Sequence, residues 1–118
     1  MKFTEGYWLL SERTNGQFAS QAYHIEAMEN GLRVVAPTSP VLSRGDTLNR
    51  PTITIEFLAV SPEVISVRAW HYEGYRTGEA RFEKKETTCD AVVTITENEA
   101  VLDAGRVSVH VDRKNWGY

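Results

Sequence analysis

The sequence has few of the residues that mark several protein classes. It contains one cysteine, Cys89, which excludes an intrachain disulfide and a cysteine-based zinc site. We expect Cys89 to be a small buried strand residue, because free cysteines are commonly buried. No apolar run approaches the roughly 18 to 20 residues that span a membrane, and the opening MKFTEGYWLL lacks the apolar core and cleavage site of a signal peptide. These absences predict a cytoplasmic protein that does not enter a membrane.

An excess of positive charge is also missing. The chain has 13 Lys and Arg against 16 Asp and Glu, and its formal net charge is −3. The basic residues are scattered among the acidic ones, whereas phosphate binding requires a concentrated basic surface. Nucleic acid is therefore not expected as a partner. A length of 118 residues and an apolar fraction of 42% predict one ordered domain over residues 1–118.

Motifs that signal catalysis or cofactor binding are absent too. His24, His71 and His110 lie far apart, without the spacing that places two imidazoles on one metal. Neither G-x-G-x-x-G nor G-x-x-x-x-G-K occurs, and no G-x-S-x-G elbow marks an activated serine. Most carboxylates fall in predicted turns or on solvent faces, and spacing alone shows no converging pair of the kind a glycosidase needs. The sequence therefore predicts no metal, no cofactor and no catalytic residue in this chain.

What the sequence does contain is strand-like alternation of apolar and polar residues over most of its length. No segment of ten or more residues has the apolar spacing of a helix. Asn30-Gly31 predicts a type I′ hairpin turn, which places Ala27 opposite Val34. A second hairpin is predicted to turn at residues 61–63. The fold class is therefore all-β.

Further segments extend this fold. Residues 37–51, with three of the four prolines, indicate a long connection, and residues 73–87 indicate a polar excursion across the surface. Residues 89–112 alternate again, with turns near residues 98 and 105. About eight short strands predict an antiparallel β-sandwich or part of one. The residues expected in its core are Ile25, Val34, Ile53, Ile55, Phe57, Ile65, Val67, Val93, Ile95, Val107 and Val109.

Aromatic and basic residues are concentrated in SVRAWHYEG, residues 66–74. Strand alternation places Arg68, Trp70 and Tyr72 on the face opposite the apolar residues. Such a stripe can stack sugar rings, or it can be covered by a neighbouring domain. Packing or a domain contact is the favoured interpretation. The candidates for ligand contact are Trp70, Tyr72 and Tyr75.

Taken in order, these segments are similar to those of a known enzyme family. GYWLL, the hairpin around NGLRVVAPT, SVRAWHYEG and DAGRVSVHV together resemble the N-terminal β-sandwich of family 31 glycoside hydrolases, closest to the α-xylosidase branch. SVRAWHYEG resembles that branch's V-R-x-x-H-[aromatic]-x-Gly strand end, and DAGRVSVHV resembles its segment of Gly followed by an alternating strand. The resemblance extends over nearly the whole chain and includes no catalytic signature.

The resemblance implies a galactose-mutarotase-like β-sandwich that packs against a (β/α)₈ barrel. Both catalytic aspartates of that family belong to the barrel, so no aspartate of this chain inherits a catalytic role. The family's sandwich is longer than 118 residues, so the chain is expected to be part of a larger enzyme. The expected function is a non-catalytic accessory and structural domain of an α-xylosidase or α-glucosidase that hydrolyses α-glycosidic bonds in oligosaccharides.

Two alternatives stay open. One is an independent carbohydrate-binding module whose aromatic residues grip an oligosaccharide, and the other is an oligomerisation domain. The absence of a signal sequence speaks against the first, since free-standing modules of that kind usually serve extracellular enzymes. The partners to consider are accordingly the barrel of the parent chain, a second copy of the chain and an oligosaccharide.

Overall fold

The computed structural model describes residue 10, residues 12–72, residue 74 and residues 89–118. Within these residues seven strands form two antiparallel sheets. The larger sheet has the order β1 (His24–Met28), β2 (Gly31–Pro37), β3 (Thr52–Ser61) and β4 (Val64–Trp70). The smaller sheet has the order β5 (Val92–Ile95), β6 (Glu99–Asp103) and β7 (Ser108–Asp112). The predicted all-β, antiparallel sandwich is thus confirmed.

The connection between β2 and β3 is irregular, as its prolines predict. It contains one 3₁₀ turn, Arg44–Thr47, and the side chain of Asp46 closes this turn by accepting hydrogen bonds from the backbone N–H groups of Leu42 and Ser43. In the described part of the chain, no helix has the length and apolar character needed to cross a membrane. The predicted excursion over residues 73–87 lies outside the described residues, apart from residue 74.

The first hairpin has the predicted faces but a different register. Its two loop residues are Glu29 and Asn30, and Gly31 already begins β2. Ala27 therefore pairs with Leu32, two residues before the partner expected from the sequence. Because side chains alternate with a period of two, a shift by two residues leaves the same set facing the core. The turn was thus predicted one position too late, without changing which residues are buried.

The core lies between the two sheets. Its largest fully buried side chains are Phe57, Leu32, Leu102, Val34 and Val111. Cys89 is buried, as predicted, but it precedes β5 and is not a strand residue as expected. Of the residues expected in the core, Val34, Ile55 and Phe57 are buried, and six more are partly buried against them: Ile25, Ile53, Ile65, Val93, Val107 and Val109.

Two core predictions were wrong, and both concern edge strands. Ile95 ends the short strand β5 and is exposed. Val67 lies on β4 directly opposite Phe57 and shares its face, yet Val67 is 50% exposed whereas Phe57 is 1% exposed. The smaller sheet comes closest to β1 and β3 rather than to β4. Alternation therefore predicted the face of Val67 correctly. Val67 is nevertheless exposed because the smaller sheet does not extend over β4.

The sheets are tied together near the loop between β3 and β4. The backbone N–H groups of Arg106 and Val107, just before β7, donate to the carbonyl oxygen of Pro62 at 2.9 and 3.2 Å. The guanidinium group of Arg106 also pairs with Glu63 in the same loop. At the opposite end of β3 and β4, around Trp70, the inner face of the larger sheet is open.

Candidate functional site

Trp70 is the last residue of β4 and is half-buried. The guanidinium carbon of Arg68 lies 4.7 Å from the centroid of its ring, within the range of a cation–π contact. Arg68 pairs with Glu56 and Trp70 pairs with Thr54, so both side chains lie on the outer face of the larger sheet, as alternation predicts. One face of the indole ring is therefore occupied within the domain itself.

Tyr72 follows the end of β4 and is 80% exposed. Tyr75 lies outside the described residues. Of the two candidates that the structure describes, Trp70 therefore lies beside a defined concave surface and Tyr72 does not line it.

That surface is a cleft of about 410 Å³ at the open end of the sandwich. Ile53 and Ala69 belong to the inner face of the larger sheet, whereas the side chain of Trp70 lies on its outer face, so the cleft lies where β4 ends. Its volume falls in the range of about 300–1,000 Å³ that is usual for small-molecule sites. Three parts of the chain line it: Asn15 and Gln17, then Pro51 and Ile53, and finally Ala69, Trp70 and His71.

The cleft combines an apolar wall with neutral polar groups. The amides of Asn15 and Gln17 can each donate and accept hydrogen bonds, and the imidazole of His71 can do either according to its tautomer. Among the described residues that line the cleft there is no Asp, Glu, Lys or Arg. Such a surface suits an uncharged ligand with hydroxyl groups on an apolar ring. Sequence reasoning missed Asn15 and Gln17 because they lie more than 50 positions before Trp70, and no motif links them to it.

A row of alternating charges crosses the outer face of the larger sheet. Glu26, Arg33, Glu56 and Arg68 occupy directly opposite positions on the four strands. Arg33 donates to Glu56 Oε1 from Nε at 2.9 Å and from Nη2 at 2.7 Å, and to Glu26 Oε1 at 2.8 Å. These hydrogen bonds, that to Glu56 first, raise the pKa of Arg33 above its ordinary value. The two carboxylates are thus the partners of one guanidinium group and support the sheet.

A second polar cluster lies on the outer face of the smaller sheet. Ser108 Oγ lies 3.1 Å from His110 Nε2, and His110 Nδ1 lies 2.7 Å from Glu99 Oε1. This connectivity resembles that of a Ser-His-acid triad, and the Ser-x-His spacing was the only sequence signal for it. The side chains of His110 and Glu99 are about half exposed, and polar contacts open to water give little of the electrostatic stabilisation that catalysis requires. We therefore interpret the cluster as a polar contact that links β6 to β7.

Metal binding finds no support in the described part of the chain. Within residues 12–72 and 89–118, no three His, Cys, Asp or Glu side chains come together as a group that could hold an ion. The three histidines lie on different elements: His24 on β1, His71 after β4 and His110 on β7.

Comparison with known proteins shows a similarity to a glycoside hydrolase. No protein-family model matches the sequence. Over 113 residues, the chain is 35% identical to alpha-xylosidase XylQ from Lactiplantibacillus pentosus. The aligned stretch is 92% of this chain but 14% of that relative, so the chain is much shorter than the protein it matches. The sequence is thus similar to one region of a larger glycoside hydrolase.

Proposed function

We propose that the chain is a non-catalytic accessory and structural domain of an α-xylosidase-like glycoside hydrolase. The observation that carries this proposal is the 35% identity over 92% of the chain to a region that makes up 14% of XylQ. Two antiparallel sheets agree with the galactose-mutarotase-like sandwich that the family resemblance implies. The proposed partner is the catalytic barrel of the same longer protein.

The arrangement of carboxylates supports a non-catalytic role. Retaining glycosidases hold two carboxyl groups about 5–5.5 Å apart on either side of the bound sugar. No described residue lining the cleft beside Trp70 carries a carboxylate, and Glu26 and Glu56 both bind Arg33 on the outer face of the larger sheet. Glu26 and Glu56 therefore stabilise the sheet through Arg33, which supports a non-catalytic role for them.

An exchange experiment tests this proposal. In the experiment, this chain replaces the matching region of XylQ. The chimera is expected to fold and to retain α-xylosidase activity. The same chimera with Leu102→Asp, which buries a charge in the core, is expected to be insoluble or inactive. The chain alone is expected to release no nitrophenol from aryl α-xylosides or α-glucosides above background. Turnover by the isolated chain that is lost on Asp46→Asn or Asp103→Asn would contradict the proposal.

Oligosaccharide binding is a second candidate function, and the cleft beside Trp70 favours it. Its apolar wall and neutral amides match the chemistry of a pyranose ring, which presents an apolar face and a rim of hydroxyl groups. The test is a titration with methyl α-xyloside, in which binding is monitored through the NMR chemical shifts of the backbone amides. Shifts confined to residues around the cleft and lost in Gln17→Ala would support binding, with Tyr72→Ala as the control outside the cleft. Shifts that are absent at 50 mM ligand, or unchanged by Gln17→Ala, would exclude this site.

A further inference from the structure

The dipeptide Asn-Gly occurs twice in the chain, at residues 15–16 and at residues 30–31. In this dipeptide the backbone nitrogen of glycine can attack the side-chain carbonyl carbon of asparagine, because glycine has no Cβ to hinder the approach. A C–N bond forms and closes a succinimide ring, the bond to Nδ2 breaks, and ammonia leaves with the proton of the glycine nitrogen. Water then opens the ring to aspartate or isoaspartate. One neutral amide thus becomes one carboxylate.

Asn30 is held on both sides of the atoms that would react. Its side-chain Oδ1 accepts a hydrogen bond from the backbone N–H of Ala91 at 3.2 Å, and its backbone carbonyl oxygen accepts one from the N–H of Ala59 at 2.9 Å. Gly31, which carries the attacking nitrogen, is buried in β2, and β2 pairs with both β1 and β3. Ring closure needs rotation about the bonds that these contacts fix, so it requires local opening of the larger sheet.

The fold also favours this reactive dipeptide at residues 30–31. A Cβ atom at residue 31 would lie 2.6 Å from the backbone carbonyl oxygen of Phe57 on β3, so a side chain at this position would displace the neighbouring strand. Asn30 has a φ of 54°, which asparagine tolerates better than most residues. The larger sheet therefore needs glycine at residue 31, suits asparagine at residue 30, and restrains the reaction between them.

Asn15 and Gly16 lie in a different setting. Residues 14–23 have no regular secondary structure, and Asn15 is exposed on the wall of the cleft beside Trp70. The atoms nearest to a Cβ placed at residue 16 are side-chain atoms of Leu10 and Phe18, whereas at residue 31 the nearest atom belongs to the backbone of a paired strand. No strand ladder fixes the bonds that must rotate to bring the nitrogen of Gly16 onto the side chain of Asn15.

We propose that Asn15 is a site of deamidation in the folded protein and that the larger sheet protects Asn30 from the same reaction. The product places a carboxylate on the wall of a cleft whose described lining contains no Asp, Glu, Lys or Arg. Isoaspartate also adds a methylene group to the main chain two residues before Gln17, which lines the same cleft. Deamidation of Asn15 therefore changes both the charge and the shape of the cleft. This inference is independent of the glycosidase and oligosaccharide proposals, because it depends only on the settings of the two dipeptides.

The first test compares the two sites within the same molecules. The full chain is incubated in mildly alkaline buffer and then cleaved after glutamate, which places Asn15 in residues 13–26 and Asn30 in residues 30–56. Fragment masses follow conversion at each asparagine. We expect Asn15 to convert at least about tenfold faster than Asn30 in the folded chain, and the two rates to agree within about threefold in about 6 M guanidinium chloride, where the sheet no longer protects Asn30. Equal rates in the folded chain, or an unchanged difference in denaturant, would overturn the proposal.

A second test assigns the new charge to Asn15. Asn15→Gln keeps an amide, but its longer side chain cannot close the same five-membered ring. Ion-exchange chromatography of the incubated folded chain is expected to show an acidic species in wild type and to show at least about tenfold less of it in Asn15→Gln. The matched control is Asn98→Gln, at an exposed asparagine that precedes Glu99 rather than glycine, and it is expected to leave the acidic species unchanged. An acidic species that persists in Asn15→Gln would contradict the assignment.

Discussion

The side-chain Oδ1 of Asn30 accepts a hydrogen bond from the backbone N–H of Ala91 at 3.2 Å, across 61 positions of sequence. Asn30 lies in the loop between β1 and β2 with a φ of 54°, and Ala91 immediately precedes β5. Asparagine tolerates this left-handed conformation better than most residues. One side chain therefore both shapes a hairpin loop and links the larger sheet to the smaller one.

Substitutions at Asn30 can separate these two roles. Asn30→Gly keeps the positive φ and removes the hydrogen bond, so it is expected to lower the free energy of unfolding by about 0.5–1.5 kcal/mol. Asn30→Ala also strains the backbone, which adds about 1 kcal/mol. Urea denaturation measures both. The control is Asn49→Gly, at an exposed position with a φ of 59°, and a loss at Asn49 equal to that at Asn30 would show that the link to Ala91 contributes nothing.

Truncating a fully buried side chain on the inner face of the larger sheet is expected to lower the free energy of unfolding more than the loss of the Asn30 hydrogen bond does. Leu32 on β2 is fully buried, so Leu32→Ala is expected to lower the free energy of unfolding by about 2–5 kcal/mol through lost burial and a residual cavity. Leu42→Ala removes the same atoms from a side chain that is 88% exposed and is expected to change stability by less than about 0.5 kcal/mol. Similar losses for the two variants, measured by the same denaturation, would show that the described core is misplaced.

The row of charges on the outer face predicts a salt-dependent contribution from Arg33. Arg33→Met leaves Glu26 and Glu56 without their shared partner, and the side chain of Glu56 is only 18% exposed, so unpaired charge remains partly buried. We expect a melting temperature lower by a few degrees, with a smaller difference from wild type in 1 M NaCl because salt screens the contacts that were lost. The matched control is Arg106→Met, whose partner Glu63 is well exposed. An equal loss in both variants would argue against a special role for Arg33.

Much of the fold was predictable because alternation fixes which face of a strand a residue occupies. Ile55 and Phe57 are buried as expected, and the predicted hairpin faces persist although the turn begins one residue earlier. Alternation does not tell how far an opposing sheet extends, which is why Val67 was wrongly placed in the core. The choice of Glu29 over Gly31 as a loop residue likewise depends on how β2 pairs with β3, a long-range contact with no local signal.

The site was predictable only in part. The aromatic stripe drew attention to Trp70 and to its shared face with Arg68, which the structure bears out. The rest of the cleft was not predictable, because Asn15 and Gln17 are distant from Trp70 in sequence and line the same cleft only through tertiary structure. Similarly, Ser108 and His110 are adjacent on one strand face, while Glu99 joins them through the pairing of β6 with β7. Local pattern indicates such groups, and tertiary structure brings them together.

Protonation of Asp112 is expected to destabilise the turn after β7 at low pH. Its carboxylate accepts hydrogen bonds from the backbone N–H of Asn115 at 3.0 Å, from the side-chain Nδ2 of Asn115 at 3.1 Å and from the backbone N–H of Lys114 at 2.7 Å. These bonds, the backbone bond from Asn115 first, lower the pKa of Asp112 below its ordinary value of 3.8. The unfolded chain therefore takes up a proton at a higher pH than the folded chain does. The stabilisation is fully present above the unfolded pKa and is lost as the pH falls through the folded pKa.

Asp112→Asn tests this expectation. The variant is expected to be less stable than wild type at about pH 6 and to lose less of its stability between about pH 5 and pH 2.5, because the titrating group has been removed. Urea midpoints across that range measure the two slopes. Glu97→Gln, at an exposed position in the loop before β6, is the control for removing one negative charge and is expected to leave the slope unchanged. Parallel curves for wild type and Asp112→Asn would show that the hydrogen bonds to this carboxylate do not contribute to the acid sensitivity of the fold.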